Sequence, residues 1–511
     1  MAKKSASDNT CCLQLPLVLE KWQSDRLEKR FEIARQIYNT LLNFELKKLR
    51  KLEQSEAYAR IQSELLRTDE GKPDDAARDK LHSQLDALRK SAGFTNYAFK
   101  TDMKAFYKHF KDNIGSSVAV HGIAPRIWSA FDKLFNGNGR MVHFKKRGEL
   151  ASLQGYSVAG KSGGVEIIFH GSYIEWKGLR LPIKLDADNP YEAEMLEKRV
   201  IFCRLVRKAG RSQPHWYVQL MLDGAPAIKR DKATGQPKHP VGSGAVGIDI
   251  GPQTIAYVSG AEIALTELAD QVKNIERKKR LIQRKMDRSR RAANPGNYAR
   301  DGTIKKGVRL LWMKSKRYMR LQCELSCLQR RQADIRKRQH TDLANHLLSL
   351  GDRFYVEDME WPSLTHRARK TEISEKTGRF KRKKRFGKSV GNKAPAMLIG
   401  ILDQKLLSRG MEGVIKVPTS VRASQYNHLS GEYHKKTLGQ RWNDMPDGRR
   451  IQRDLYSAFL LQHMNAALNG FDDASLDRDY GSFVVHHDDL IQKLQSSPKT
   501  LTSMGIRRTV S

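Results

Sequence analysis

The chain has 511 residues, enough for roughly two to four domains and a large buried core. Lys and Arg number 93 against 56 Asp and Glu, a surplus of 37 positive charges. Such a surplus costs self-repulsion unless a polyanion neutralises it, which points to nucleic acid. With 39% apolar residues most of the chain should fold, and neither an apolar run of spanning length nor an isolated cationic amphipathic helix favours a membrane.

Met1-Ala2-Lys3-Lys4 leads into polar residues rather than a secretory core, so an intracellular location is expected. The run from Cys11 to Leu19 is broken by Gln14 and Pro16 and reads as a strand. The five cysteines contain no CxxC pair and are expected as thiols. Cys323 and Cys327 share a face of a predicted helix, where core packing suits them better than half a zinc site.

From about residue 22 to 66 apolar residues recur at three and four: Leu27, Phe31, Ala34, Ile37, Tyr38, Leu41 and Leu42. Further helices are predicted at about 74–91, 97–113 and 122–136. This block, rich in Lys and Arg, reads as a solvated bundle or as a clamp on a nucleic-acid duplex. Short strands follow at 165–169, 173–176, 179–183 and 200–206, and 215–222 pairs with the last across a turn. With the N-terminal strand they predict a small β-barrel interrupted by the helical block. Residues 226–244 are basic and rich in Gly and Pro, as a linker would be.

The stretch Val246 to Val258 reads as an apolar strand, a carboxylate (Asp249), a glycine turn at Gly251 and a second apolar strand. A lone Asp on a central strand beside a Gly suits a metal-dependent phosphodiester site. It is equally compatible with the phosphate-gripping hairpin of sugar kinases and actin-like ATPases. Two long basic helices come next. The first carries Arg277, Lys278, Lys279, Arg280 and Arg284; the second, from about 311 to 350, exposes Arg330, Arg331 and Lys337. Dense charge on a helix is usually a solvated face, but one-signed charge with little Glu favours phosphate contact. Residues 366–394, including Lys383 and Arg385, are expected to order only on binding.

Three carboxylates stand out. Asp249 is followed 108 residues later by Glu357, ending the apolar strand Arg353 to Val356, and after 97 more by Asp454, opening an amphipathic helix. Each has a duller reading: a strand end, a partner for a nearby Arg, and a helix N-cap. Together, in this order, two strand-borne acids and one at a helix start are what a ribonuclease-H-like sheet uses to hold Mg²⁺ through oxygen ligands.

These residues resemble the RuvC-type nuclease of transposon-encoded TnpB proteins and the compact type V CRISPR effectors. Gly247-Ile248-Asp249-Ile250-Gly251 is similar to the first RuvC motif, Val356-Glu357-Asp358 to the second and Gln452 through Leu460 to the third. Asn392 to Met397 and the run from Ser424 to Trp442 are similar as well, and the resemblance covers roughly residues 12–468. It implies an α+β multidomain chain: a β-barrel wedge domain (1–24 and 140–225), an all-α recognition insertion (25–139), a linker (226–244), a ribonuclease-H-like RuvC nuclease domain (245–470) and a tail (471–511). It further implies guide RNA and a double-stranded DNA target with a short flanking motif as partners, no membrane, a prokaryotic cytoplasmic or nucleoid location, and cutting by Asp249, Glu357 and Asp454 with two Mg²⁺ ions.

One departure is clear. The family carries a four-cysteine zinc ribbon, here within 424–450, but Asn427 and Ser430 stand where the first cysteine pair is expected and the second pair is absent. His428 and His434 alone do not rebuild a tetrahedral site, so a zinc-free hairpin is expected and efficient cutting is in question. In the tail, Asp477-Arg478-Asp479 repeats the third-motif form superficially, but Asp454 is preferred because an apolar helix follows it. Competing readings are a guide-directed binder that cleaves weakly, an actin-fold kinase lacking its further Gly-rich loops, and a basic coat protein without a guide.

Overall fold

The computed structural model describes residues 10–70, 75–137, 139, 141–156, 166–210, 213–365, 373, 386–437, 439–497, 500 and 502–507. The chain divides into two compact units, Met1–Ile228 and Lys229–Ser511.

The first unit begins with β1 (Thr10–Pro16) and the long α1 (Lys21–Glu53). α1 starts where the Gln23 side chain accepts the Glu20 N–H at 2.8 Å, and it buries the predicted stripe from Leu27 to Leu42. α2 (Glu56–Glu70) and α3 (Asp75–Ser91) form a satellite around Ile61, Leu81 and Leu85. α4 (Asn96–Tyr107) is capped by Thr95, and a π-helical segment, Ser117–Ile123, runs into α5 (Ala124–Phe135). The strands are β2 (Ser152–Tyr156), β3 (Ile167–Phe169), β4 (Tyr173–Trp176), β5 (Leu179–Pro182), β6 (Val200–Lys208) and β7 (His215–Asp223), with α6 (Pro190–Leu196) before β6. One apolar core runs from β1 through α1, α4 and α5 to β7, so helices and strands share a single interior.

The expected barrel is corrected to two open sheets, ordered β1-β7-β6-β2 and β3-β4-β5. Just past β1 the Leu17 N–H still donates to the Trp216 carbonyl at 3.0 Å, and the bridge Leu17–Ile183 reaches the second sheet, with the Lys184 N–H donating to the Pro16 carbonyl at 2.8 Å and the Val18 N–H to the Pro182 carbonyl at 2.9 Å. At the other corner the Glu166 N–H donates to the Tyr156 carbonyl at 3.1 Å.

The second unit is built on a five-stranded mixed sheet, β10-β9-β8-β11-β12. β8 (Ala245–Ile250), β9 (Thr254–Ser259) and β10 (Ile263–Glu267) form an antiparallel meander, and β11 (Arg353–Glu357) and β12 (Ile415–Val417) run parallel to β8. α7 (Lys273–Ala293) and α8 (Lys316–Leu350) make the crossover. Short α9 (Trp361–Thr365), α10 (Gly387–Lys393) and the apolar α11 (Pro395–Leu407) follow β11. Two small hairpins, β13 (Tyr426–Asn427) with β14 (Glu432–Tyr433) and β15 (Trp442–Asp444) with β16 (Arg450–Gln452), lead to α12 (Arg453–Gln462) and α13 (Asp473–Ser496).

Val246, Ile248, Ile250, Phe354 and Val356 face a core with α8 and α11, while Ala256, Val258 and Val417 face one with α12 and α13. Burial on both faces explains why β8, β9 and β11 read as nearly continuous apolar runs. The tail is integral to this unit: Leu476, Phe483, Val484 and Ile491 of α13 pack against α12. Among the described residues no helix is long and apolar enough to cross a membrane, and no disulfide joins the five cysteines.

Candidate functional site

β8 and β11 are in parallel register, with Val356 opposite Ile248, so Glu357 and Asp249 end the pair side by side. Cross-strand neighbours project to the same face, here the face that α12 covers. α12 can lie close because Gly247 has no side chain: a Cβ there would overlap the Ala458 carbonyl and the Gln462 N–H. With Ala458 seated on Gly247, Asp454 lies one turn back toward the helix start and comes over Asp249. Gln452, not Asp454, caps the helix by accepting the Leu455 N–H at 2.8 Å, which leaves the Asp454 carboxylate for other partners.

Asp249, Glu357 and Asp454 therefore line one cleft, together with Gln253, Phe386, Lys436, Arg441 and Arg453. Burial, and then the negative charges of Asp454 and Glu357, push the Asp249 carboxyl well above the usual range, while the Ser457 hydroxyl opposes this by hydrogen bonding. Burial alone raises Glu357. Asp454 is matched instead by cations: Arg453 donates to Oδ1 at 3.0 Å and Arg441 reaches Oδ2 at 3.3 Å. Burial lowers the Lys436 pKa, with Arg453 adding to the effect.

The mouth of the cleft is held from below. Gln253 donates to the Ser389 hydroxyl at 2.6 Å. Lys393, buried at the end of α10, pairs with Glu267 at 2.8 Å and donates to the Ala269 carbonyl at 3.0 Å. The His340 ring meets the Lys393 carbonyl at 2.6 Å. Ala394 then turns through a left-handed conformation (φ 47°) into α11.

An all-carboxylate donor set of two strand ends and a helix start fits a hard divalent cation in kind. In arrangement it does not yet form a cage: among the described residues no three His, Cys, Asp or Glu side chains stand in ligating geometry for one ion.

No family model matches the chain, and no curated protein matches it either. Among solved structures, one titled as a Cas12f1–sgRNA–target DNA complex aligns at 12% identity and a TM-score of 0.42, covering 90% of this chain and 99% of that one. A CRISPR-Cas12f ternary complex aligns at 12% identity and a TM-score of 0.28, covering 89% and 83%. At these values neither likeness decides the fold or the function of this chain.

The predicted phosphate-contacting cations divide. Arg277, Lys278, Arg280 and Arg284 are exposed along α7, as are Arg331 and Lys337 on α8, and Arg330 is half-buried. Lys279 is engaged within the chain: its ammonium bridges Glu276 at 2.6 Å and Gln332 at 2.9 Å, tying α7 to α8. Lys383 and Arg385 lie outside the described residues.

At the expected ribbon, the Asn427 side chain caps its own turn by accepting the Leu429 N–H at 3.1 Å, and Ser430 is exposed. Tyr426 packs on Tyr433 and stacks on Phe471, and His428 Nδ1 meets the Tyr456 hydroxyl at 2.6 Å. Asp479 stays out of the cleft, paired with Arg478 and His463. Residue order alone does not single out Arg441, Arg453, Lys436, Ser457 or Gln253 as parts of the site. Their signal is positional: Gln253 lies in the stretch from Val246 to Val258, Lys436 and Arg441 in the run from Ser424 to Trp442, and Arg453 and Ser457 beside Asp454 in the third motif.

Proposed function

We propose that this chain is an RNA-guided DNA-binding protein with a divalent-metal phosphodiesterase site of the RuvC kind. The observation that carries the reading is the meeting of Asp249, Glu357 and Asp454 in one cleft from positions 108 and 97 residues apart. The surplus of 37 positive charges supports a polyanionic partner. The order of the three motifs supports the guide-directed, ribonuclease-H-like form of that reading.

In this proposal Asp249, Glu357 and Asp454 are the residues that would hold magnesium, whose chemistry would be to neutralise charge developing on a phosphodiester. The chain's own residues prepare the site. Ser457 steadies Asp249, the start of α12 favours the negative charge of Asp454, and Gln253 fixes the rim through Ser389. Lys436 and Arg441 present cations to a phosphate entering the cleft.

A second reading, a guide-directed binder that cuts weakly, is favoured by one observation: both carboxylate oxygens of Asp454 are already engaged by arginines. The test has two parts. RNA that co-purifies with the chain is sequenced, and a plasmid matching that RNA is incubated with Mg²⁺ and wild-type or Asp249→Ala protein. Mg²⁺-dependent cutting lost in Asp249→Ala supports the nuclease. Binding without cutting supports the second reading, and a smear of unrelated RNA removes the guide.

A further inference from the structure

The segment joining α7 to α8 carries an aromatic platform that the cleft does not use. Tyr298 and Trp312 meet edge to face with ring centroids 5.8 Å apart. Arg291 lies over Tyr298 at 4.8 Å and Arg290 over Trp312 at 5.4 Å. The segment is built rather than loose. Asn294, itself buried, accepts the Met313 N–H at 2.7 Å and donates to the Met313 carbonyl at 2.9 Å. Asn297 donates to the Leu311 carbonyl at 2.7 Å, and Arg291 to the Gly302 carbonyl at 2.9 Å.

Around this scaffold the surface is apolar and open. Trp312 is 39% exposed, Val308 60%, Leu311 79% and Met313 73%. A contiguous apolar patch rimmed by polar groups marks an interaction site. Its rim is mostly positive: Arg300, Lys305, Lys306, Arg309 and Lys314 stand against Asp301, which is occupied by Thr303, and Asp287, which pairs with Arg290 at 2.7 Å and Arg291 at 2.9 Å and holds both over the rings. One turn before the platform, α7 bears a groove lined by Arg280, Arg284, Lys285 and Arg288, with Asp287 as its one acid.

We propose that this platform is a stacking site for unpaired bases of a single-stranded nucleic acid, whose phosphates follow the α7 groove. Exposed rings with arginines beside them, next to a cationic track, are what such strands need: every base has a π-face, and the backbone needs only charge. An acidic protein would match the rim but not the ring ledge. A duplex hides its base faces and would use only the cations. The inference is independent of the phosphodiester site, because binding at the platform needs neither Asp249 nor a metal.

The test is fluorescence anisotropy of the full chain, freed of co-purifying RNA, with a labelled single-stranded oligonucleotide and with the same sequence as a duplex. Trp312→Ala should weaken single-strand binding by roughly tenfold or more, with an unchanged salt slope and unchanged duplex binding, and Trp312→Phe should restore most of the loss. Ultraviolet crosslinking of the wild type should place the oligonucleotide on the peptide containing Tyr298 or Trp312, which answers the case in which Trp312→Ala misfolds the segment. Equal affinity of wild type and Trp312→Ala, equal losses for single strand and duplex, or crosslinks elsewhere would overturn the proposal. So would Trp312-dependent binding to anionic phosphatidylglycerol vesicles without any effect on the oligonucleotide. A wild type that binds the oligonucleotide at the platform but cuts no plasmid would count against the nuclease reading alone.

Discussion

Gly247 lies directly beneath Ala458, with no space between strand and helix for a side chain. This contact sets the height of α12 above the sheet and so the approach of Asp454 to Asp249. Gly247→Ala should lift or tilt the helix, lowering stability by about 1–3 kcal/mol, the usual cost of overpacking a filled core. Thermal denaturation should report the loss, and plasmid cutting should fall further than stability alone explains.

Arg441 is the more exposed of the two cations on Asp454. Arg441→Gln should free one carboxylate oxygen and tighten Mn²⁺ binding by up to about fivefold, the range of a partly exposed ion pair. Electron paramagnetic resonance of free Mn²⁺ reads this without requiring catalysis. Asp249→Asn should lose the binding, and an unchanged affinity in Arg441→Gln would show that the arginine does not compete with the cation.

In the first unit, Glu45 is wholly buried beside Lys48 (2.7 Å), which also pairs with Asp102 at 3.0 Å. Burial pushes its carboxyl up to about 7; Lys48 pulls it down and Asp102 raises it. The folded chain therefore keeps this proton up to about pH 7, while the unfolded chain releases it near 4.5. Between those values the folded state binds more protons, so stability falls as pH rises, by at most about 3 kcal/mol. Glu45→Gln should flatten that slope and raise the melting temperature at pH 8 but not at pH 4.5.

Replacing Arg277, Lys278 and Arg280 together by Ala should reduce the slope of log affinity against log salt by about 2 to 3, if all three meet phosphate. Lys279→Ala should behave differently. It leaves Glu276 and Gln332 without their bridge, so the expected effect is a lower melting temperature with little change in slope.

A zinc-selective chelator should leave the melting temperature unchanged, whereas the same treatment unfolds a domain whose ribbon depends on the metal. A shift on chelation would show that this hairpin has ligands other than Asn427 and Ser430.

Much of the second unit could be read from residue order alone. The meander of β8 and β9 announces itself because both strands are buried on both faces, and Glu357 and Asp454 sit at the abrupt ends of apolar runs. The pairing of Arg441 with Asp454 is not legible, because it depends on how the β15–β16 hairpin folds back. Lys279 looks like its exposed neighbours until α8 brings Gln332 beside it. The open sheets of the first unit are not legible either, because the bridge Leu17–Ile183 that links them depends on which strand lies across from β1. The π-helical turn at Ser117–Ile123 has no sequence marker; there a Cβ on Gly122 would press on the Gln154 carbonyl.

The β13–β14 hairpin is fastened by Tyr426 between Tyr433 and Phe471 and by His428 on Tyr456. Phenol, benzene and imidazole rings are neither scavenged by starvation for transition elements nor unlatched by peroxide as clustered thiolates are. A cell deprived of trace minerals or under oxidant attack would leave this clasp shut.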